Sequence, residues 1–176
     1  MTTGNSPAVT NVTAPCEAEQ FKAGMRRFAS GVTLITSVFE GKRAGLIATA
    51  VSSVSTTPPT LLICVNRSAS AHDVIDGSGS FAVNLIAASD LHLVDVFSKT
   101  ALREQRFKAG DWTTLVSGTP ILATSLASFD CKIVHRLAYE SHTIFLGEVN
   151  MVRIADGHDD ALLYMDSTFR RLVRAA

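Results

Sequence analysis

Beyond Gly31 the chain is a succession of short apolar runs broken by small polar turns, and this pattern limits the folds open to it. The runs are Val32–Phe39, Gly45–Val51, Thr60–Asn66, Phe81–Ile86, 123–139, His142–Ile154 and Ala161–Met165. They are rich in β-branched residues, and Glu40-Gly41-Lys42 and Pro58-Pro59 punctuate them, which reads as strand, turn and strand. Helical periodicity is confined to a few places. Phe21, Met25 and Phe28 fall at i, i+4 and i+7, predicting an amphipathic helix from Glu17 to Ser30 that ends at Gly31. Leu91, Val94 and Phe97 share one face of a second helix, Ser89–Phe97, with Ser89 or Asp90 as its N-cap. A short helical turn at Asp73–Asp76 and a short helix around Ala101–Phe107 complete the set. Strands that follow one another without intervening helices predict a mainly β fold, an antiparallel barrel or sandwich with helices on its rim. No G-x-G-x-x-G opens a helix after a strand, which argues against a Rossmann nucleotide site.

A length of 176 residues suits one domain, assigned to residues 16–176, after a polar, Pro- and Thr-rich leader at 1–15 that is expected to be disordered. Hydrophobic residues make up 47% and charged residues 18%, an apolar balance that points to a buried interface between copies. The formal net charge is zero and no basic block stands out, which excludes nucleic acid as an expected partner. No run is long enough to span a membrane as a helix, and the first residues lack the basic and apolar regions of a secretory signal. Cys16, Cys64 and Cys131 form neither a zinc pattern nor a disulfide framework, so a reducing cytoplasm is the expected setting.

The most informative stretch runs from Gly45 to Pro59, continues through Thr60–Val65, and ends in Asn66-Arg67-Ser68-Ala69-Ser70. It reads as a strand, a hydroxyl-rich turn, a second strand and a second small polar turn. Two such turns offer backbone N–H groups and hydroxyls with little bulk, which suits a flat, polar, phosphorylated ligand. Taken alone, they read more readily as ordinary turns, which such Ser/Thr-rich stretches between strands usually are.

Many short motifs in order carry a family resemblance. They include Gly31-Val32-Thr33, Gly45-Leu46, Ala48-Thr49-Ala50-Val51, Ser53-Val54-Ser55 and Pro58-Pro59. Phe81-Ala82-Val83-Asn84, Arg106-Phe107, Gly118 with Pro120, and Phe129-Asp130-Cys131 follow. Ser141-His142, Phe145–Val149, Asp156-Gly157-His158 and Leu162-Leu163-Tyr164 complete the match. From about Phe21 to Arg170 the chain resembles the short-chain flavin reductases, the reductase components of two-component flavin monooxygenases such as the 4-hydroxyphenylacetate hydroxylase type.

The resemblance implies an FMN-binding split β-barrel, a homodimer, and hydride transfer from NADH, or NADPH, to FMN or FAD. Carried over by position, it sets Ala48, Thr49, Ala50, Val51, Ser53 and Val54 along the ring and ribityl chain. Asn66, Ser68, Ala69 and Ser70 meet the phosphate end, and Lys99 and Thr100 add further flavin contacts. His142 matches a family histidine on the nicotinamide side, with His158 and Tyr164 near the same mouth. The implied partner is a flavin-dependent monooxygenase that receives diffusing reduced flavin. Two other readings stay open: a tightly held FMN passing electrons to a corrinoid or ferric chelate, and a non-enzymatic flavin-binding module. The chain departs from the family pattern at Ile47, at Val51 and at Phe97-Ser98-Lys99.

The remaining candidates have plainer readings. His72-Asp73 suits a solvated turn, His92 with Asp95 a solvated helix face, and His135 the outward position of a strand. Asp156–Asp160 reads as a polar hairpin, because a hard-cation loop needs more ordered oxygen ligands; no metal site is expected. Trp112 reads as a packing anchor. Arg170, Arg171 and Arg174 suit either a pyrophosphate contact or a charged tail.

Overall fold

The computed structural model describes residues 15–157 and 160–172. The elements in chain order are α1 (Ala18–Met25), β1 (Ser30–Gly31), β2 (Thr33–Phe39), β3 (Lys42–Ala48), β4 (Val51–Thr56), β5 (Pro59–Asn66), α2 (His72–Ser78) and β6 (Ser80–Leu85). Then come α3 (Leu91–Ser98), β7 (Trp112–Thr114), β8 (Pro120–Leu122), β9 (Ala127–Tyr139), β10 (His142–Ile154), β11 (Leu163–Met165) and β12 (Thr168–Arg170). Short 3-10 turns at Ala88–Asp90 and Thr100–Gln105 flank α3.

Seven strands form one antiparallel sheet in the order β3-β2-β6-β9-β10-β5-β4. Its two edge strands, β3 and β4, are consecutive in the chain, with Thr49 and Ala50 between them. Ala44, Leu46 and Ala48 of β3 share one core with Val51 of β4, Ile63 and Val65 of β5, and Phe145 of β10. Residues from both edges can meet in one core only because the sheet curls round on itself, so the expected split barrel is the fold. Val74 and Ile75 of α2 pack into that same core.

A second apolar cluster lies outside the barrel, where Val32, Leu34 and Leu162 meet Leu93, Val94 and Phe97 of α3. β2 therefore serves both clusters: Ile35 points inward and Leu34 outward. Its first five residues are all buried, as a strand covered on both faces requires. Buried Asn84 ties the layers together. Its amide nitrogen donates to Leu34 O (3.0 Å), while its oxygen accepts from Leu122 N (2.9 Å) and Ser128 Oγ (2.8 Å).

Four sequence expectations change. The predicted helix at Glu17–Ser30 is only α1, Ala18–Met25, and none of its residues is buried. The next residues are recruited elsewhere: Asp166 N donates to Arg26 O, and Ser30 pairs with Tyr164. The hydroxyl-rich turn is a strand. Val51–Thr56 pairs with β5, with a register shift between Ser53 and Ser55, because the edge of β5 supplies backbone partners that local turn chemistry cannot outbid. The bend lies instead at Thr49-Ala50. His72, expected to be solvated, is 9% exposed, and its Nε2 lies 2.9 Å from Thr143 Oγ1. The short helix near Ala101–Phe107 takes the 3-10 form, and β11 and β12 make a small sheet with β1. Leader residues 1–14, His158 and Arg174 lie outside the described residues. No helix among the described residues is long and apolar enough to cross a membrane.

Candidate functional site

A cleft of about 510 Å³ runs along the outer side of β3, floored by Gly45, Leu46 and Ile47. One wall is the Ser68–Ser70 turn after β5. The other is the end of α3, Phe97 and Ser98, continued by Thr100, Arg103 and Arg106. Ile47 and Ser98 also border a hollow of about 250 Å³ bounded by Val32, Ala48, Thr49, Val94, Tyr164 and Phe169. At the opposite end Ser70, Arg103 and Arg106 border a further cavity of about 350 Å³.

Each wall has a local cause. A Cβ on Gly45 would stand 2.8 Å from Phe97 Cε1 and 3.1 Å from Ile35 O. The missing side chain is what lets α3 lie close against β3. The second turn is an Asx-turn: Asn66 Oδ1 accepts from both Ser68 N and Ser68 Oγ, each at 2.8 Å. Arg67 N donates to Ser141 O at 2.8 Å, and His72 N donates to Ala69 O at 2.9 Å. The turn is thereby fastened to the β9–β10 hairpin on one side and to α2 on the other. Thr100, Arg103 and Arg106 recur every third residue through and just past a 3-10 turn, a spacing that stacks side chains along one face.

Arg106 dominates the electrostatics. It is 9% exposed, and its Nη1 donates to Gly45 O (3.4 Å) and Ser70 Oγ (3.3 Å). Its Nε is buried without a partner. Its ring neighbour is Phe97, whose centroid lies 5.9 Å from the guanidinium carbon. Burial, with Arg103 adding repulsion, holds the Arg106 pKa below its usual value. A buried cation whose contacts are neutral oxygens and a ring is costly unless an anion joins it. This end of the cleft is built for a negative group, while the end near Ile47 and Val94 carries no charge and mixes apolar side chains with Thr49, Ser98 and Tyr164.

The structure gathers Ala48, Thr49, Ser68, Ala69, Ser70, Thr100 and Tyr164 around the cleft and its adjoining hollow. Val51, Ser53 and Val54 do not line it; they lie along β4. Ala50 accepts from Cys64 N at the corner. Asn66 shapes the turn through its side chain. Lys99 pairs with Asp95 on the surface at 3.2 Å. His142 opens β10 opposite Asn66, with Nδ1 2.9 Å from Ser141 Oγ, and lies outside the cleft. Tyr164 packs on Phe169, ring centroids 5.1 Å apart. Sequence reasoning missed Phe97, Ser98, Arg103 and Arg106 as site residues. The period of three from Thr100 to Arg106 was the available signal, obscured by reading the segment as an ordinary helix. Trp112 is a packing residue, 4.8 Å from Phe107 and 5.9 Å from Phe97 between ring centroids. Among the described residues no cluster of side chains suits a metal ion.

The donor set fits a flavin mononucleotide unit. Arg106 Nε is an orphaned buried donor beside small hydroxylated residues, and a slot of small and apolar residues follows it along β3.

Comparison with known proteins agrees with this. Residues 25–173 match the family model described as flavin reductase like domain. The chain is 43% identical over 175 residues to the FMN reductase (NADH) RutF 1 of Methylorubrum extorquens, covering 99% of this chain and 84% of that protein. Among solved structures it resembles the Streptomyces globisporus NADH:FAD oxidoreductase SgcE6, seen with NAD and FAD fragments: 30% identity, TM-score 0.82, 90% of this chain and 94% of that one. It also resembles BorF, the flavin reductase component of a bacterial two-component tryptophan halogenase: 27% identity, TM-score 0.81, 90% of this chain and all of the other.

Proposed function

We propose that this chain, which belongs to the family of flavin reductase like domains, is an NADH-dependent flavin reductase that delivers reduced flavin to a separate monooxygenase. The observation that carries the reading is the two-ended cleft: a buried, carboxylate-free Arg106 at one end and an uncharged slot along β3 at the other. When bound, NADH supplies the hydride and the flavin ring accepts it.

The residues of this chain have positioning roles. Arg106, Arg103 and Ser70 hold the flavin phosphate, and the Asx-turn at Asn66–Ser68 fixes where Ser70 stands. Gly45, Ile47, Ala48 and Thr49 form the floor against which the ring lies, and Phe97 and Tyr164 limit its sideways movement. Such orientation supplies most of what a hydride transfer between two cofactors asks of a protein. His142 sits in the hairpin that clamps the phosphate turn, and its part is to hold that turn in place. Delivery to a monooxygenase is supported by the two-component system in which BorF takes part. The exposed Phe21, Phe28 and Ile154 (62%, 64% and 74%) support a homodimer. Three free cysteines accord with a cytoplasmic setting.

The test is a steady-state assay crossing NADH and NADPH with riboflavin, FMN and FAD. The reading expects NADH oxidation that depends on added flavin and couples to a flavin-dependent monooxygenase supplied in trans. Flavin binding without turnover on either nicotinamide would overturn it in favour of a binding module.

A further inference from the structure

We infer that the cavity beyond Arg106 is a seat for a second phosphate and its adenosine, so that the chain prefers FAD to FMN. The inference rests on the flavin cleft proposed above and names which flavin that cleft takes.

The cavity, of about 350 Å³, lies between the β2–β3 hairpin and the segment after α3. Lys42 and Arg43 reach it from the first, and Arg103, Arg106 and Lys108 from the second. Glu104 is the single carboxylate among the lining residues, so five cations face one anion in a chain of zero net charge. Among the described residues none of the five is joined in an ion pair. Two separate elements bring like charges to one cavity; Lys42, Arg43, Arg103 and Lys108 are exposed and their repulsion is screened by water, while an anion between the elements would meet all of them.

The cavity shares Ser70, Arg103 and Arg106 with the cleft. An occupant that fills both is one continuous molecule passing Arg106, with its first phosphate there and its second nearer Lys42 and Lys108. FMN ends at the first position. The far wall offers a surface for a flat base: the Arg43 guanidinium lies 4.8 Å over the Phe107 ring, whose edges are packed by Phe97 and Trp112. A guanidinium in this position can also stack on adenine.

Quenching of flavin fluorescence would measure affinity for riboflavin, FMN and FAD without any turnover. The wild-type chain is expected to bind FAD about ten-fold more tightly than FMN, a difference of about 1.4 kcal/mol. The double variant Lys42→Glu/Lys108→Glu is expected to lose that preference while its FMN affinity stays unchanged. AMP, which carries the second phosphate and the adenosine but not the first phosphate, is expected to displace FAD and to leave bound FMN in place. Equal affinity of the wild-type chain for FMN and FAD would overturn the inference, and that comparison needs no variant. An equal fall for both flavins in the double variant would also overturn it, since the cations would then serve the first phosphate. AMP that competes with NADH, not with FAD, would assign the cavity to the nicotinamide dinucleotide and overturn it too. Failure of every flavin to bind would instead overturn the cleft assignment on which the inference rests.

Discussion

The two sides of β3 do opposite things. Inward, Ala44, Leu46 and Ala48 meet a barrel core in which Ile63, Phe81 and Phe145 are fully buried and the packing is predominantly apolar. Outward, Gly45 and Ile47 border a cleft whose central side chain, Arg106, keeps a buried donor without a partner. One seven-residue strand thus separates a side whose groups satisfy one another from a side that needs a ligand to be satisfied. Stability should reside inside and recognition outside, and variants on the two sides should affect different measurements.

The largest expected effect lies within the barrel. Ile63→Ala removes a fully buried side chain and should cost about 2–5 kcal/mol in urea unfolding. The flavin affinity of the folded fraction should stay near that of the wild type. A parallel loss of affinity at temperatures where the variant is folded would mean that the two sides are coupled.

On the outer side, Arg106→Leu should weaken FMN about 10- to 100-fold, the worth of a charge-assisted contact to an anion, while riboflavin affinity barely moves. Arg106→Lys should recover only part, since a point charge replaces a planar fork. Equal loss for riboflavin and FMN would show that Arg106 shapes the floor and does not hold the phosphate.

Gly45 stands on the boundary, so Gly45→Ala should register in both measurements. The added methyl meets Phe97 at 2.8 Å and should cost about 1–3 kcal/mol as α3 is pushed away. Riboflavin and FMN should weaken alike, because the floor of the cleft moves and the phosphate end does not. A thermal scan paired with the flavin titration checks this.

The last effect, a pH dependence inside the barrel, is nil at neutral pH and grows only in alkali. Burial first, and neighbouring Asp130 second, push the Cys131 thiol up from 9.0 to about 12. The folded state therefore retains a proton that the unfolded chain gives up. Stability from this site is full below pH 9 and falls as pH rises from 9 towards 12, by up to about 1.4 kcal/mol per pH unit. Urea midpoints at successive pH values should show the decline, and Cys131→Ala should flatten it. A variant with an unchanged slope would place the titrating group elsewhere.

Much of this was legible in the chain. Short apolar, β-branched runs bounded by turn residues predicted the strands β2, β5, β6, β9 and β10, because a strand buried on both faces reads as a nearly continuous apolar run. The Ser68–Ser70 turn was visible for a related reason: an Asn two residues before a Ser favours an Asx-turn whatever surrounds it. Other features were hidden because long-range partners decide them. β4 was read as a turn since its hydroxyls favour one locally, and only β5 running beside it makes it a strand. His72 looked solvated in sequence and is buried because Thr143, on a strand far along the chain, comes to meet it.

The sequence by itself determined a mainly β chain, the order of its strands along the polypeptide, and the uncharged stretch from Gly45 to Ala50 that a flat ligand can approach. These follow from local sterics and hydrophobic period, which act between near neighbours. Only the tertiary structure decided which cations face that stretch. Arg106 lies 61 residues beyond Gly45, yet donates to its carbonyl at 3.4 Å. Closing the sheet and laying α3 on β3 brought them together, and a guanidinium carries no local mark of being buried until its neighbours are in place.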